Sequence, residues 1–340
     1  ARGFFTSGGT VSNLTALAAA REKALPQSRS TGMGSHTLAL YCSAEAHYSV
    51  TRAAEVLGIG GDNVRSIDID SQRRLKPAAL ARAIEIDRAT GVIPMAVVAT
   101  AGTTLTGAVD PIGEIADVCG DIWLHVDGAY GLPAAATHSS GSLFAGLDRA
   151  DSMSIDAHKW LFVPKACSAL LVKKPELLAR AFSHNEAYIP HEHGDTNAVD
   201  VTLEYSRPLR ALKLWLAFKV HGAQGMRDAV EANLAQAKLL YTLAHTAPDF
   251  DVLESIPQLS TVPLRHIPQN ISTADNSRIN AHTADLQLAL VADGRIYISP
   301  AQIDGNTWLR PCFTNFRTTN ADVQVAFDVI REVSNALASA

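Results

Sequence analysis

Two stretches decide the fold: Trp-Leu-His-Val-Asp-Gly-Ala-Tyr at residues 123–130 and Ser-Ile-Asp-Ala-His-Lys-Trp at residues 154–160. The first includes an apolar run that has the length and pattern of a buried parallel strand. Asp127 ends that run, and open α/β sheets bind ligands at the carboxyl ends of their strands. Lys159 follows a second short strand pattern, at residues 152–155. Both side chains are therefore predicted to reach one crevice.

Together, Asp127 and Lys159 match what pyridoxal 5′-phosphate (PLP) requires. This cofactor needs a lysine amine to form a Schiff base with its aldehyde and a carboxylate to keep its pyridine nitrogen protonated. His158, beside the lysine, offers a further donor for the phosphate. The pair is weak support alone, because the chain has 29 basic and 34 acidic residues. The alternative is a strand-end Asp that caps a helix and an unrelated surface Lys.

A glycine-rich turn, Phe-Thr-Ser-Gly-Gly-Thr-Val-Ser-Asn at residues 5–13, runs into a stretch of strong helix formers. Such a turn presents backbone N–H groups and the positive end of the helix dipole to an anion. Gly9 and Thr10 are therefore predicted to bind the phosphate, and Ser7 and Asn13 are expected as polar support. An ordinary tight turn is the alternative, and the Gly-Lys-Ser/Thr ending of a nucleotide P-loop is absent.

Two further residues follow predicted strands. His47, within Ala-His-Tyr-Ser-Val at residues 46–50, is expected to lie on the pyridine ring and to serve as an acid or base. A packed, hydrogen-bonded histidine is the alternative. Thr104 ends Ala-Gly-Thr-Thr at residues 101–104 and is expected to bind the phenolic oxygen of the cofactor or Asp127. Here the alternative is a turn without function.

These five motifs, followed by Arg-Pro-Leu-Arg-Ala-Leu-Lys-Leu-Trp at residues 207–215, resemble in their order the group II PLP-dependent amino acid decarboxylases. That family includes the aromatic amino acid, histidine, glutamate and diaminobutyrate decarboxylases. The resemblance spans residues 5–319. It implies PLP fold type I and decarboxylation of an L-amino acid to its amine and CO2 by a homodimer.

The resemblance also implies a role for individual residues. Lys159 corresponds to the Schiff-base lysine, Asp127 to the pyridinium partner, and His47 to a histidine stacked on the cofactor. The other implied cofactor contacts are Gly9, Thr10, Thr104, Ala129, Asp156 and His158, of which Ala129 packs behind the ring. Lys159, His47 and Asp127 are thus the predicted catalytic residues.

The chain departs from the family pattern at its beginning. Members usually carry a long N-terminal arm before the glycine-rich turn, and this arm wraps the partner subunit and helps to build the substrate pocket. Here the sequence starts at Ala1, so we expect a fragment, a processed form or an incomplete gene model. Substrate affinity and dimer stability are expected to be lower in such a form.

A second departure concerns the mobile loop, expected within residues 184–205. Many members place a proton-donating tyrosine there, at a position that falls near Ala198. Tyr188 and Tyr205 are the tyrosines within reach, and neither aligns well. The stretch Asn-Ala-Val-Asp at residues 197–200 is similar to diaminobutyrate-type members, which favours an aliphatic or basic substrate over an aromatic one.

Strand and helix patterns alternate up to about residue 172 and predict a doubly wound, mainly parallel sheet in a large PLP-binding domain, residues 1–222. Helical stretches follow, with breaks at Gly222 and Gly225. Residues 223–340 are predicted to form a smaller α+β domain that closes with a helix from Ala321. The six strand patterns of the large domain are residues 38–42, 64–69, 95–100, 122–127, 152–155 and 168–172.

Composition narrows the function classes. A net charge of −5 without a basic stripe argues against a nucleic-acid partner. No apolar run of 18 residues exists, so no membrane span is expected. The cysteines are widely spaced and predict buried free thiols of a reducing, cytoplasmic compartment. They are Cys42, Cys119, Cys167 and Cys312.

Some features leave alternatives open. His191-Glu192-His193 raises a metal hypothesis, but no third ligand is evident nearby and we predict no metal. Arg310 is either a fork for a substrate carboxylate or a salt bridge between domains. Rival functions are another fold-type-I PLP enzyme, such as an amine-oxidising aldehyde synthase, a lyase or an aminotransferase, and an inactive PLP-binding partner subunit. A Ser-His-Asp hydrolase is disfavoured by the lack of a Gly-x-Ser-x-Gly elbow.

Overall fold

The computed structural model describes residues 1–184 and 197–339. The chain divides into two compact units. The first comprises Ala1–Thr103 and Val109–Met226, and the second comprises Thr104–Ala108 and Arg227–Ala340. The division near Met226 lies close to the boundary expected after residue 222, although the assignment of these units as the predicted domains remains a prediction.

A seven-stranded mixed sheet forms the centre of the first unit, in the order β1-β7-β6-β5-β4-β2-β3. The five neighbouring strands β3, β2, β4, β5 and β6 are parallel to one another, which confirms the mainly parallel sheet. Strands β7 and β1 are antiparallel and form one edge, an arrangement that hydrophobic pattern alone does not encode. The strands are β1 Arg2–Thr6, β2 Leu38–Ser43, β3 Val64–Ile67, β4 Ile93–Thr100, β5 Trp123–Asp127, β6 Ser152–Ile155 and β7 Ser168–Val172.

Helices cover both faces of this sheet. Because side chains alternate across a strand, Leu40 and Cys42 join the core beneath the first, third and seventh helices, whereas Tyr41 points the other way and donates to Asp87 of the fourth. The helices of this unit are α1 Gly9–Ala24, α2 Ser28–Thr31, α3 Ser49–Val56, α4 Pro77–Ala89, α5 Ile112–Cys119, α6 Ala157–Trp160, α7 Glu176–Phe182 and the first part of α8 Ala211–Thr246.

The second unit is a four-stranded antiparallel sheet with helices, as predicted for a smaller α+β domain. Its strand order is β10-β11-β9-β8. Its edge strand β10 begins at Ser299 and runs through Pro300, which an edge strand tolerates because no ladder N–H is needed there. Its elements are β8 Phe250–Val252, β9 Leu264–His266, α9 Asn276–Asp293, β10 Ser299–Ile303, β11 Asn306–Arg310 and α10 Asn320–Ser339.

All four cysteines are free thiols. Cys42, Cys119 and Cys167 are buried, as predicted, whereas Cys312 is exposed. Across the described residues, no helix combines the length and the apolar character needed to cross a membrane.

Helix α8 changes direction at Gly222. Its backbone angles, φ 68° and ψ 170°, are not helical, which confirms the predicted break. Gly225, where a second break was predicted, keeps helical geometry, so that prediction is wrong. Left-handed φ with extended ψ is a region that side chains other than that of glycine rarely occupy. The break therefore depends on this one residue.

Alanine at the two glycines should shift stability in opposite directions. We expect Gly222→Ala to destabilise the fold by about 1–3 kcal/mol because of its backbone angles. We expect Gly225→Ala to stabilise it by about 0.5–1 kcal/mol, because the added Cβ would meet only the His221 Cβ, at 3.6 Å. Denaturant unfolding of both variants measures this, and equal shifts would contradict the assignment of the break.

Candidate active site

The first turn of α1 lies against the ends of β5 and β6. A Cβ atom on Gly9 would stand 3.0 Å from the Ala129 Cβ and 3.2 and 3.3 Å from the Asp156 carboxylate oxygens. These distances are shorter than ordinary van der Waals contacts, so a larger residue at this position would require Ala129 and Asp156 to move by a few tenths of an ångström. No side chain caps the helix at Gly8, and its first turn holds no acidic residue. Such a helix start can present its backbone N–H groups to an anion. Phosphate binding by Gly9 and Thr10 remains a prediction.

Asp127 is the last residue of β5, and its carboxylate is held by three hydrogen bonds. Oδ1 accepts from the Ala129 N–H and the Ser154 hydroxyl, both at 3.1 Å. Oδ2 accepts from the Asn13 amide at 2.8 Å. The side chain is buried, so these contacts fix its orientation where the parallel strands end.

Lys159 lies in the single turn of α6, directly after β6. Its Nζ is 3.0 Å from Asp156 Oδ2, and its side chain remains 44% exposed. The other oxygen of Asp156 is buried and has no hydrogen-bond partner within the described parts of the chain. The Nδ1 of His158 contacts the backbone of Cys167, and its Nε2 is 3.7 Å from Asp156 Oδ2. The carboxylate of Asp156, the amine of Lys159 and the imidazole of His158 thus lie close together beside α1.

His47 precedes α3 and is half-buried. Its Nδ1 is 2.8 Å from the Ser49 hydroxyl and accepts from the Ser49 N–H at 3.2 Å. Burial lowers the pKa of His47. The carboxylates of Asp127 and Asp156 raise this pKa, and the charge of Lys159 lowers it. The net shift is downward, so the imidazole is neutral near pH 7. The charges of the predicted site all act on this one ring.

Thr104 is assigned to a different unit from the other predicted site residues. It belongs to the segment Thr104–Ala108 of the second unit, its side chain is exposed, and its carbonyl accepts a hydrogen bond from the Arg310 guanidinium at 3.1 Å. Arg310 thus contacts a backbone carbonyl rather than the carboxylate expected of a salt bridge. The contact of Thr104 with the cofactor remains a prediction.

The predicted loop is described only in part. Tyr188 and the His191-Glu192-His193 motif lie outside the described residues. Tyr205 is exposed. Asp200 is buried and accepts from the Ser183 hydroxyl at 3.3 Å, so it has a structural role where α7 ends.

Sequence reasoning misplaced Asn13 and missed His125. Asn13 was expected beside the phosphate, but its amide donates to Asp127, and its oxygen is 3.0 Å from His125 Nε2. His125 is fully buried in β5. A histidine inside an otherwise apolar strand was the available signal, because a buried imidazole requires polar partners.

A family model described as the pyridoxal-dependent decarboxylase conserved domain matches residues 1–265. The chain belongs to this family. The resemblance, the cofactor PLP and the carboxy-lyase class that the sequence predicted are confirmed at this level.

Individual relatives cover nearly all of the chain. An aromatic-L-amino-acid decarboxylase from Bacillus atrophaeus is 35% identical over 329 residues, which are 95% of this chain and 67% of that protein. The acidic amino acid decarboxylase GADL1 from Bos taurus is 36% identical over 279 residues, which are 79% of this chain and 53% of that protein. The chain therefore spans between about half and two thirds of the length of these relatives.

Among solved structures, that of Oryza sativa TDC with PLP and tryptamine superposes with a TM-score of 0.91. The two chains are 27% identical, and the match covers 98% of this chain and 70% of that one. The similarity confirms PLP fold type I.

The residues present fit PLP. Gly9 leaves a space that a Cβ would fill, and the helix start above it has uncapped N–H groups. The buried Asp156 Oδ1 lacks a partner within the described residues. An amine at Lys159 and an oriented carboxylate at Asp127 complete the donor and acceptor set that the cofactor requires.

The buried His125 should make the fold sensitive to acid. Burial lowers its pKa well below 6.5, while Asp127 raises it in part. The unfolded chain binds a proton at this residue below about pH 6.5 and the folded chain does not, so its contribution to stability is complete above that pH and is lost as pH falls.

We therefore expect wild type to lose about 2 kcal/mol more than His125→Gln between pH 7.5 and pH 5. Urea unfolding at both pH values measures the difference. The same substitution at exposed His36 is the control and should leave the pH dependence unchanged. A gap between wild type and His125→Gln that is constant with pH would show that His125 has the same pKa in the folded and the unfolded chain.

Proposed function

We propose that this protein decarboxylates an L-amino acid to its amine and CO2, with PLP attached as a Schiff base to Lys159. The observation that carries the proposal is the arrangement of Lys159, Asp127 and His47 around the uncapped start of α1 in a chain of the pyridoxal-dependent decarboxylase family. When bound, PLP supplies an electron sink for the bond that breaks at the α-carbon. The protein supplies attachment, orientation and charge.

Each predicted contact has a defined task in this proposal. Asp127, fixed by three hydrogen bonds, keeps the pyridine nitrogen protonated. Ala129 packs behind the ring, because its backbone is tied to Asp127 and its Cβ faces Gly9. The phosphate is held by the N–H groups of Gly9 and Thr10. The outer contacts of the cofactor are Asp156, His158 and Thr104.

His47 is proposed to stack on the cofactor. Its Nδ1 accepts hydrogen bonds from Ser49, so in the neutral ring the proton is on Nε2. This nitrogen can donate a hydrogen bond to a substrate carboxylate and hold it in the orientation from which it leaves. Decarboxylation requires the bond to the carboxylate to stand perpendicular to the ring, and a fixed donor on one face favours this orientation.

The substrate is proposed only as a class, an L-amino acid. The relatives named above act on aromatic and on acidic amino acids, and the stretch at residues 197–200 favours aliphatic or basic ones. Product analysis of the PLP-loaded protein with a panel of L-amino acids, under air and without oxygen, tests the proposal. An amine under both gas phases supports it, whereas an aldehyde formed only under air supports an amine-oxidising aldehyde synthase.

Removal of the lysine amine should abolish attachment of the cofactor. We expect borohydride treatment of the PLP-loaded protein to leave a pyridoxyl group on Lys159, found by peptide mass spectrometry, and none in Lys159→Ala. Turnover should fall by at least about three orders of magnitude, because the oriented covalent step is lost. Lys165→Ala, in the following loop, is the control. A label on another lysine of wild type would refute the assignment.

We further propose a cytoplasmic homodimer. Free thiols at all four cysteines suit a reducing compartment. An apolar stripe lies exposed along the first part of α8 and the residues before it, with spacings of three and four residues that place it on one helical face. Its members are Leu209, Leu212, Trp215, Leu216 and Val220, between 46% and 73% exposed. We propose that this stripe forms the dimer interface, because contiguous exposed apolar surface often marks a contact between proteins.

Introducing a charged residue into this apolar stripe should therefore dissociate the dimer. Wild type is expected to sediment as a dimer at micromolar concentration and Trp215→Asp as a monomer, since a buried unpaired carboxylate costs several kcal/mol. Ile86→Asp, on exposed α4, is the matched control and should remain dimeric. Sedimentation velocity decides, and a dimeric Trp215→Asp would exclude this stripe as the interface.

A further inference from the structure

A buried chain of hydrogen bonds runs from the start of β5 to the carboxylate at its end. The Trp123 indole N–H donates to the Ser152 hydroxyl at 2.8 Å, and that hydroxyl is 2.8 Å from His125 Nδ1. His125 Nε2 is 3.0 Å from the Asn13 oxygen, and the Asn13 amide nitrogen is 2.8 Å from Asp127 Oδ2. All five side chains are buried.

The chain has one direction. A carboxylate accepts and does not donate, so the Asn13 NH2 group faces Asp127 and the Asn13 oxygen faces His125. His125 must then carry its proton on Nε2 and accept at Nδ1. The Ser152 hydroxyl, which accepts from Trp123, donates to that nitrogen. Every polar atom of the chain is satisfied only in this arrangement, and an unsatisfied buried group is costly.

Asn13 also begins a second branch. The same NH2 group donates to the Ser49 hydroxyl at 3.0 Å. Ser49 therefore has its own proton free for His47 Nδ1, 2.8 Å away. One amide thus reaches both the carboxylate at the end of β5 and the imidazole before α3.

We propose that Asn13 is a positioning residue that couples Asp127 to His47, and that His125 fixes the orientation of its amide. The inference rests on the proposed function, which places the cofactor between those two side chains. An amide turned by 180° would present its oxygen to Asp127 and to Ser49. It would then repel the carboxylate and release the Ser49 hydroxyl from its fixed role.

The position of Asn13 on α1 extends this coupling to the phosphate end. Gly9 and Asn13 are four residues apart and lie on the same helical face. The backbone at Gly9 faces the proposed phosphate site, while the side chain one turn later holds Asp127. A single rigid helix therefore sets the distance between the two ends of the cofactor.

Two substitutions at His125 separate positioning from packing. The glutamine Nε2 stands three bonds beyond Cβ, like the histidine Nε2, and can still donate to Asn13. The asparagine Nδ2 stands two bonds beyond Cβ, like Nδ1, and reaches only Ser152. We expect the PLP dissociation constant to stay within about threefold of wild type in His125→Gln and to rise about tenfold in His125→Asn and Asn13→Ala, the size of one lost hydrogen bond.

A measurement on the cofactor-free protein tests the branch to His47. Long-range 1H–15N spectra should show His47 and His125 of wild type protonated on Nε2. In Asn13→Ala the Ser49 oxygen becomes free to accept from a protonated Nδ1, so the pKa of His47 should rise by about one unit. Asp127, Asp156, Lys159 and Arg52, whose charges act on His47, are unchanged in that variant.

Controls keep the test decisive. Asn233→Ala removes another fully buried asparagine, in the second unit, and should leave PLP affinity and the His47 signal unchanged. Ser49→Ala cuts only the second branch and should raise the pKa of His47 while PLP affinity stays within about threefold of wild type. If His125→Asn does not fold, Asn13→Ala and Ser49→Ala carry the comparison.

The proposal is overturned if the His125 variants bind PLP equally, or if the His47 signal is the same in Asn13→Ala and wild type. Failure of the proposed function is a separate result, in which wild type binds PLP but forms no amine. In that case the imidazole spectra and the PLP dissociation constants still test whether Asn13 couples Asp127 to His47.

Discussion

The close approach of α1 to the ends of β5 and β6 is the constraint on which the site depends. Without a side chain at Gly9, the helix start comes into contact distance of Ala129 and Asp156. That contact places the uncapped N–H groups beside Lys159 and puts Asn13 within reach of Asp127. The two ends of the proposed cofactor site are therefore set by how closely a single helix packs on the sheet.

Much of this arrangement could be predicted from sequence because its signals are local. Asp127 ends an apolar strand and Lys159 follows another, so the parallel sheet brings both to one edge. The glycine-rich turn predicted the start of α1 in the same way. In each case the pattern of neighbouring residues was enough to predict where the strand or helix begins or ends.

Other features of the structure could not be predicted because they depend on contacts between distant parts of the sequence. Asn13 and His125, for example, are 112 positions apart, and the residues around each of them do not indicate that the two are in contact. The antiparallel pairing of β1 with β7 depends on chain direction, which hydrophobic pattern does not record.

The pairing of β1 with β7 also has a consequence for the order of events during synthesis. The chain leaves the ribosome from its N-terminus, and domains fold as units. Residues 2–6 then wait for residues 168–172, and Asn13 waits for Asp127. Lys159 emerges after Asp127 and before residues 168–172. The nascent chain therefore cannot complete the proposed cofactor site until residue 172 has been made, and cofactor loading would report that this sheet has formed.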